Sequence, residues 1–201
     1  MSWTTLLHLG DLAFILPAAA AMTAWMAAAR AWRMAFWWSL LFALAIGLVG
    51  ATKIAFLGWG GGLPAFGFKA LSGHATGVTA VFPTLFYLML QQSPAAVRQA
   101  GVAAGLLLGA AMAVLLVTLG AHTLSEALAG WAMGALVSLG GIRMAGRPLS
   151  AARPLPAFAC FCVVLLSSAW IMKSAPVGYW MIKAALLLSG NRRPFAWDIC
   201  G

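Results

Sequence analysis

The chain has 201 residues, of which 64% are hydrophobic and only 7% are charged. A soluble core of this size would not need so much apolar surface, so the mean hydropathy of +0.98 indicates one integral membrane domain. The formal net charge of +9 does not indicate nucleic-acid binding. The basic residues are scattered at the ends of apolar runs, where orientation signals and lipid headgroup contacts occur.

Six apolar runs of about 18 to 24 residues are predicted to be transmembrane helices. A helix must be about this long to cross a hydrocarbon core about 30 Å thick. Residues 1–10 lack the positively charged start of a cleavable signal peptide. The predicted helices are 12–29, 34–57, 74–92, 99–120, 124–142 and 156–173. The predicted fold is therefore an all-α, polytopic membrane helix bundle over residues 1–173.

The last part of the chain, residues 174–201, is predicted to be a C-terminal tail. It contains an apolar run at 176–189 of about 14 residues. This run is short for a membrane span, so an interfacial helix is expected there.

Three basic loops fall on the same side of the membrane if the six predicted helices alternate in direction. By the positive-inside rule this side is cytoplasmic. The N-terminus, the 58–73 loop, the 120–123 turn and the tail then face outward. In a bacterium this predicts an inner-membrane protein whose outer face lies in the periplasm. The arginines that define the three loops are Arg30 and Arg33, then Arg98, then Arg143, Arg147 and Arg153.

Ionisable groups are costly in such an apolar chain, so a histidine and a glutamate close together are informative. His122 and Glu126 are four residues apart and share one face if a helix begins near them. A carboxylate behind an imidazole fixes its tautomer and supports the positive charge that develops when the other nitrogen attacks. The pair therefore predicts a nucleophilic histidine with an orienting carboxylate.

A second polar cluster, Ser72-Gly73-His74, stands at the predicted start of the third helix. The Ser72 hydroxyl and the backbone N–H groups of Gly73 and His74 suit an anion at this position. His74 is a candidate general acid, and Lys53 adds positive charge from the outer end of the second helix. Both clusters are predicted to share the outer face, which suggests a site that handles phosphate.

Each of these residues also has a simpler interpretation. A histidine at a membrane interface often serves as a polar anchor, and Lys53 is also placed to extend its ammonium group to the headgroups. Glu126 is equally suited to be a structural hydrogen-bond partner. The glycine- and aromatic-rich loop 58–71 fits either an interfacial loop or one that contacts substrate.

Residues 34–142 resemble the type 2 phosphatidic acid phosphatase family. The pattern of that family is Lys-x6-Arg-Pro, then Pro-Ser-Gly-His, then Ser-Arg-x5-His-x3-Asp. Lys53 fits the opening lysine, and Leu71-Ser72-Gly73-His74 fits the second motif except for its proline. His122-x3-Glu126 fits the end of the third motif, with glutamate in place of aspartate.

The resemblance implies a phosphohistidine mechanism in which His122 is the nucleophile, Glu126 its orienting partner and His74 the general acid. It implies that Lys53 and Ser72, with the Gly73 backbone, bind the phosphoryl oxygens. It also implies that neither a metal ion nor another cofactor is needed. The expected partners are a lipid phosphate substrate and the surrounding membrane lipids, while the oligomeric state stays open.

The chain departs from the family at the two motif arginines, which are replaced by Gly60 and Leu116. Arginine grips phosphoryl oxygens with two parallel hydrogen bonds, which glycine and leucine cannot do. Losing both would cost several kcal/mol, on the order of a thousandfold in rate, unless other groups replace them. Lys69 is the nearest substitute in sequence, and Arg192 and Arg193 are alternatives if the tail folds back.

The leading functional prediction is a lipid phosphatase on the outer membrane face. Candidate substrates are a polyprenyl diphosphate, phosphatidylglycerol phosphate, phosphatidic acid and a lipid A phosphate. The alternative is a weakly active or inactive member that binds lipid phosphate headgroups or supports a partner protein. A rhomboid-like serine protease with a Ser72–His122 dyad is less favoured, since it leaves His74 and Lys53 unexplained.

Overall fold

A computed structural model describes residues 7–145, 154–172 and 176–196. Within these ranges the chain forms seven α-helices and no β-strand, apart from a single bridge between Leu63 and Phe68. Short 3₁₀ turns occupy His8–Gly10 and Pro64–Phe66. The helices are α1 (Leu12–Ala28), α2 (Trp32–Trp59), α3 (Gly73–Met89), α4 (Ala95–Thr118), α5 (Leu124–Met144), α6 (Pro154–Met172) and α7 (Val177–Ser189).

The all-α fold predicted from sequence is confirmed, and the first six helices lie within four residues of their predicted bounds. Among the described residues, three helices are long and apolar enough to cross a membrane, namely α2, α4 and α5. The other helices are shorter or less apolar. By length and composition, the described residues therefore contain three candidate spans, where the sequence predicted six. Arg147 and Arg153 of the third basic loop lie outside the described residues.

Helix α3 is the centre of the bundle and packs against α1, α2, α4 and α5. Three buried threonines explain why it is less apolar than a typical span: Thr76, Thr79 and Thr84 each donate a hydrogen bond to the carbonyl four residues earlier. The Trp38 indole of α2 also donates to the Thr84 hydroxyl at 3.0 Å. These polar groups face other helices, where hydrogen bonds satisfy them.

Glycines on the neighbouring helices allow close approach to α3. A Cβ atom added at Gly134 of α5 would lie 2.5 Å from the Thr76 carbonyl oxygen, and one at Gly105 of α4 would lie 2.5 Å from the Pro83 Cα. Because both obstacles are backbone atoms, they cannot rotate away. This small-residue packing fixes the start of α3 against α5.

Two further helices complete the bundle at its sides. Helix α6 packs along α1, where Trp25 makes edge-to-face contacts with Phe158 and Phe161. Helix α7 packs along α2, with Gly58 against the Ala185 carbonyl. The interfacial position of this last helix and the boundary at residue 173 stay predictions.

The described part of the tail returns to the end of α2. The Phe195 amide donates to the Leu57 carbonyl at 3.0 Å, and the Asn191 side chain donates to the Gly58 carbonyl at 2.6 Å. The Phe195 ring covers Gly60, where an added Cβ would lie 2.9 Å from it. Residues 191–196 therefore lie over the same end of the bundle as the starts of α3 and α5.

Candidate active site

Glu126 is the most densely hydrogen-bonded side chain at this end of the bundle. One carboxylate oxygen accepts from His122 Nδ1 at 2.8 Å and from the Thr123 amide at 3.2 Å. The other accepts from the amides of Lys69 at 2.8 Å and Ala70 at 3.4 Å. Glu126 is only 2% exposed, and with Thr123 it forms the capping box that begins α5. This carboxylate thus joins the 60–71 loop, the 119–123 turn and α5.

The contact with Glu126 assigns the protonation of His122. An ionised carboxylate only accepts hydrogen bonds, so the proton of a neutral His122 is on Nδ1 and the lone pair is on Nε2. The side chain is 11% exposed, and this burial lowers the pKa of His122 below its ordinary value, although the bond to Glu126 opposes the shift. His122 is therefore neutral at pH 7, and Nε2 has the protonation that a nucleophile requires.

His74 lies at the start of α3, where residues of the N-terminal segment contact its imidazole. Its Nε2 atom is 3.0 Å from Asp11 Oδ1, and its ring packs against Gly10. His74 also interacts electrostatically with Lys53 and His122. The two histidines therefore belong to one electrostatic cluster, although they are 48 positions apart in the chain.

Lys53 extends from α2 towards the start of α3. A Cβ added at Gly73 would lie 3.8 Å from its ammonium nitrogen. Lys53 also interacts electrostatically with both His122 and Glu126. The arrangement places a lysine ammonium beside the positive end of the α3 dipole, which favours an anion.

A cavity of about 660 Å³ opens beside this cluster. Its walls are mainly apolar and come from the start of α1, the middle of α2 and the start of α7. Its polar edge consists of Asp11, Lys53, Gly73 and His74. The apolar walls suit the chain of an amphiphile, and Lys53 at the polar edge suits an anionic head.

Ser72 serves as the N-cap of α3 in this structure. It is fully buried, its hydroxyl accepts from the Ala75 amide at 3.4 Å, and its own amide donates to the Glu126 carbonyl at 3.3 Å. It does not line the cavity, so its predicted contact with phosphate stays a prediction. Lys69 also does not line the cavity, although its amide is bonded to Glu126.

The two positions of the missing arginines differ in their surroundings. Leu116 is 2% exposed and belongs to the apolar core, and its carbonyl accepts from the His122 amide at 3.2 Å. Gly60 has a left-handed φ of 66° at the end of α2 and lies beneath Phe195. Arg192 and Arg193 are exposed in the segment that carries this ring.

Asp11 is absent from the site residues predicted from sequence, because it lies 63 positions before His74. The feature that could have identified Asp11 from the sequence is its rarity, since it is one of only three acidic residues in the chain. Within the described residues, no group of three or more His, Cys, Asp and Glu side chains is arranged to hold a metal ion.

The fold and the site define an all-α bundle of the membrane type that contains a buried histidine–carboxylate pair. His122 and Glu126 do not themselves line the cavity, but both interact electrostatically with Lys53 at its polar edge. Residues 57–148 match the model of the PAP2 superfamily, which is consistent with a divergent member of that superfamily. The resemblance predicted from the motifs is thereby confirmed.

A curated relative from Klebsiella pneumoniae, described as an uncharacterized 22.5 kDa protein in the cps region, is 33% identical over 136 residues. This match covers 67% of the chain and 65% of the relative. No solved structure matches the chain significantly.

The Glu126 network generates a prediction about stability. In Glu126→Gln, the amide group would turn a donor towards one or more of the N–H groups that the carboxylate now satisfies. We expect a loss of about 1–3 kcal/mol, because a buried donor is left unpaired. Thermal unfolding in detergent, followed by circular dichroism, measures the loss.

Ser125→Ala is the control, since it removes two hydrogen bonds of a partly exposed hydroxyl, to the Phe66 carbonyl and the Thr123 hydroxyl, without leaving a buried charge unpaired, and should cost about 1 kcal/mol or less. Equal stability of Glu126→Gln and the parent protein would contradict the prediction.

Proposed function

We propose that the protein is a membrane lipid phosphatase that hydrolyses a phosphate monoester or diphosphate through a phosphohistidine intermediate. The observation that supports this proposal is the buried His122–Glu126 pair, in which Nδ1 is held by the carboxylate and Nε2 carries the lone pair. The match to the PAP2 superfamily supports phosphatase-type chemistry.

In the first step, His122 Nε2 attacks phosphorus and the bond to the leaving oxygen breaks. His74 gives a proton to that oxygen, so the product leaves as a neutral alcohol or a protonated phosphate. Glu126 accepts the Nδ1–H bond of His122 throughout and compensates the positive charge that develops on the ring. Lys53 and the amides at the start of α3 stabilise the phosphoryl oxygens.

In the second step, a water molecule attacks phosphorus and the bond to His122 Nε2 breaks. His74, now neutral, takes a proton from this water and returns to its starting state. Inorganic phosphate leaves with the oxygen that water supplied. Each group ends the cycle in its original protonation state, so no oxidant, reductant or metal ion enters the balance.

The cavity beside Lys53 supports a lipid substrate. Its apolar walls suit an acyl or prenyl chain, and Lys53 at its polar edge suits the phosphate. A polyprenyl diphosphate, phosphatidylglycerol phosphate, phosphatidic acid and a lipid A phosphate all have this chemistry. The shared feature is a phosphate joined to a long apolar chain.

The missing arginines support a second candidate, a member that binds lipid phosphate and catalyses poorly or not at all. Gly60 and Leu116 supply no charge, and Leu116 is enclosed by apolar side chains. Such a protein would retain Lys53 and the start of α3 as an anion site. Phosphate release separates this candidate from the phosphatase.

Lys69 is the proposed local source of the missing positive charge. Its amide is 2.8 Å from the carboxylate that holds His122, so its side chain starts next to the nucleophile. Arg192 and Arg193 are the alternative, because the tail that carries them is bonded to Leu57 and Gly58, beside the first missing arginine.

The phosphatase proposal predicts phosphate release from at least one member of a panel of the four lipid phosphates. The measurement uses purified full-length protein in detergent micelles and detects inorganic phosphate. His122→Ala should reduce turnover by roughly a thousandfold or more, because the nucleophile is lost. Gln92→Ala is the control, since Gln92 is exposed between α3 and α4, away from the site, and should not alter turnover much.

The pH profile of the same reaction gives a second readout of His122. Attack requires the neutral imidazole, and burial holds the pKa of His122 below its ordinary value of about 6.5. The acid limb of kcat/KM should therefore lie below about pH 6.5.

Equal turnover of His122→Ala and the parent would exclude the histidine nucleophile. If no lipid releases phosphate but vesicles with lipid phosphate bind the protein better than neutral vesicles, the second candidate is correct.

The source of positive charge is tested by four alanine substitutions. Lys69→Ala should lower turnover by at least about tenfold, or roughly 1.4 kcal/mol, while Arg192→Ala and Arg193→Ala should change it less. Lys183→Ala, which removes an exposed cation on α7, is the matched control. A loss confined to either tail arginine would instead assign the role to the tail.

The proposed location is a bacterial inner membrane with the site on the periplasmic side, as the basic loops indicate. Ala65→Cys and Gln92→Cys test it in a chain whose native cysteines are replaced by serine. Both positions are exposed, one in the 60–71 loop and the other between α3 and α4. A membrane-impermeant thiol reagent should label Ala65→Cys in intact cells and Gln92→Cys only after permeabilisation. The reverse pattern would place the site on the cytoplasmic side.

A further inference from the structure

The carboxylate of Asp11 lies between two histidines at the edge of the cavity. Its Oδ2 atom is 2.8 Å from His8 Nδ1, and its Oδ1 atom is 3.0 Å from His74 Nε2. These hydrogen bonds outweigh the effect of burial and hold the pKa of Asp11 below its ordinary value. The carboxylate is therefore ionised at neutral pH, and the His74 nitrogen that faces it carries a proton.

The side chain of Asp11 does not cap α1, although its backbone position favours this role. Asp11 is the N-cap of α1, and an aspartate there usually accepts a hydrogen bond from an amide in the first helical turn. Here the side chain makes no capping hydrogen bond and is turned to the histidines instead. The helix thus forgoes a contact worth about 1 kcal/mol, which indicates that the two histidines set the orientation of the carboxylate.

The turn before Asp11 is also fitted to His74. Gly10 is buried against the imidazole, and a Cβ added there would lie 2.7 Å from its Cδ2 atom. The N-terminal segment therefore holds His74 in two ways, through a steric contact from one side and through a hydrogen bond at Nε2. Both contacts leave Nδ1 as the nitrogen available for proton transfer.

We propose that Asp11 is a positioning residue for the general acid His74, which deepens and rests on the phosphatase function proposed above. Asp11 holds His74 Nε2–H, so that Nδ1 exchanges the proton with the substrate. The negative charge of Asp11 also stabilises the imidazolium form that donates this proton. Asp11 thus serves His74 as Glu126 serves His122.

The proton balance follows from this pairing. In the form that donates, His74 carries protons on both nitrogens, and Nδ1–H transfers its proton to the leaving oxygen as the bond between that oxygen and phosphorus breaks. The remaining proton stays on Nε2 against Asp11. Nδ1 then accepts a proton from the attacking water, which restores the imidazolium.

Several charged groups face this pair and act on its titration. His8 lies on the far side of Asp11, while Lys53 from α2 and His122 from the turn before α5 face His74. Burial, Lys53 and the protonated form of His122 all disfavour the positive charge of protonated His74, and Asp11 is the counter-charge that opposes them.

The test is the pH dependence of kcat/KM for Asp11→Asn against the full-length parent protein, with the lipid phosphate that gives the highest turnover. Asparagine can still accept from Nε2–H but carries no charge. We expect the alkaline limb to move to lower pH by about one unit, while the acid limb, set by His122, stays in place. Asp11→Glu should restore the alkaline limb in part. Gln92→Ala should leave it unchanged, because Gln92 is exposed beyond the end of α3 that is opposite to His74.

A second measurement does not depend on turnover. Histidine-labelled protein is titrated by NMR, and the His74 signal is assigned by its loss in His74→Gln. The His74 pKa should fall in Asp11→Asn, or in Asp11→Ser if the first variant does not fold. An unchanged alkaline limb together with an unchanged His74 titration would overturn the proposal. A parent protein without phosphate release would refute the phosphatase function instead, and the NMR titration would still decide whether Asp11 controls His74.

Discussion

The buried carboxylate of Glu126 is the interaction on which the site depends. It accepts hydrogen bonds from one side chain and three backbone amides, and these come from two separate loops. A buried charge is tolerated only when it is well satisfied, so these loops must adopt the conformations that supply the donors. The position of His122 Nε2, the proposed nucleophile, is therefore a consequence of how this charge is satisfied.

The packing of α3 supplies the rigid base for that network. Close contact with α4 and α5 depends on glycines that face backbone atoms, and the threonines of α3 satisfy their hydroxyls within the helix. As a result, the amide of Ser72 meets the carbonyl of Glu126, and the start of α3 is fixed beside the start of α5. The geometry of the proposed site rests on helix ends held by close backbone packing.

The chain differs from the superfamily pattern in the source of positive charge. The core position Leu116 is apolar, and Gly60 is covered by Phe195. The cations that remain near the site are Lys53, Lys69 and those of the tail. Lysine acts as a point charge, whereas arginine offers two parallel hydrogen bonds, so a site built on lysine holds a phosphoryl group with less directional control.

The sequence by itself determined the all-α fold, the positions of six helices and the pairing of His122 with Glu126. Each depends on local information: apolar runs of membrane length, loop residues at their ends, and a spacing of four within one helical turn. Only the tertiary structure decided that Asp11 meets His74, that Ser72 is a buried helix cap and that the tail covers Gly60. These contacts join positions far apart in the chain, and their formation depends on how helices pack, which residue spacing does not encode.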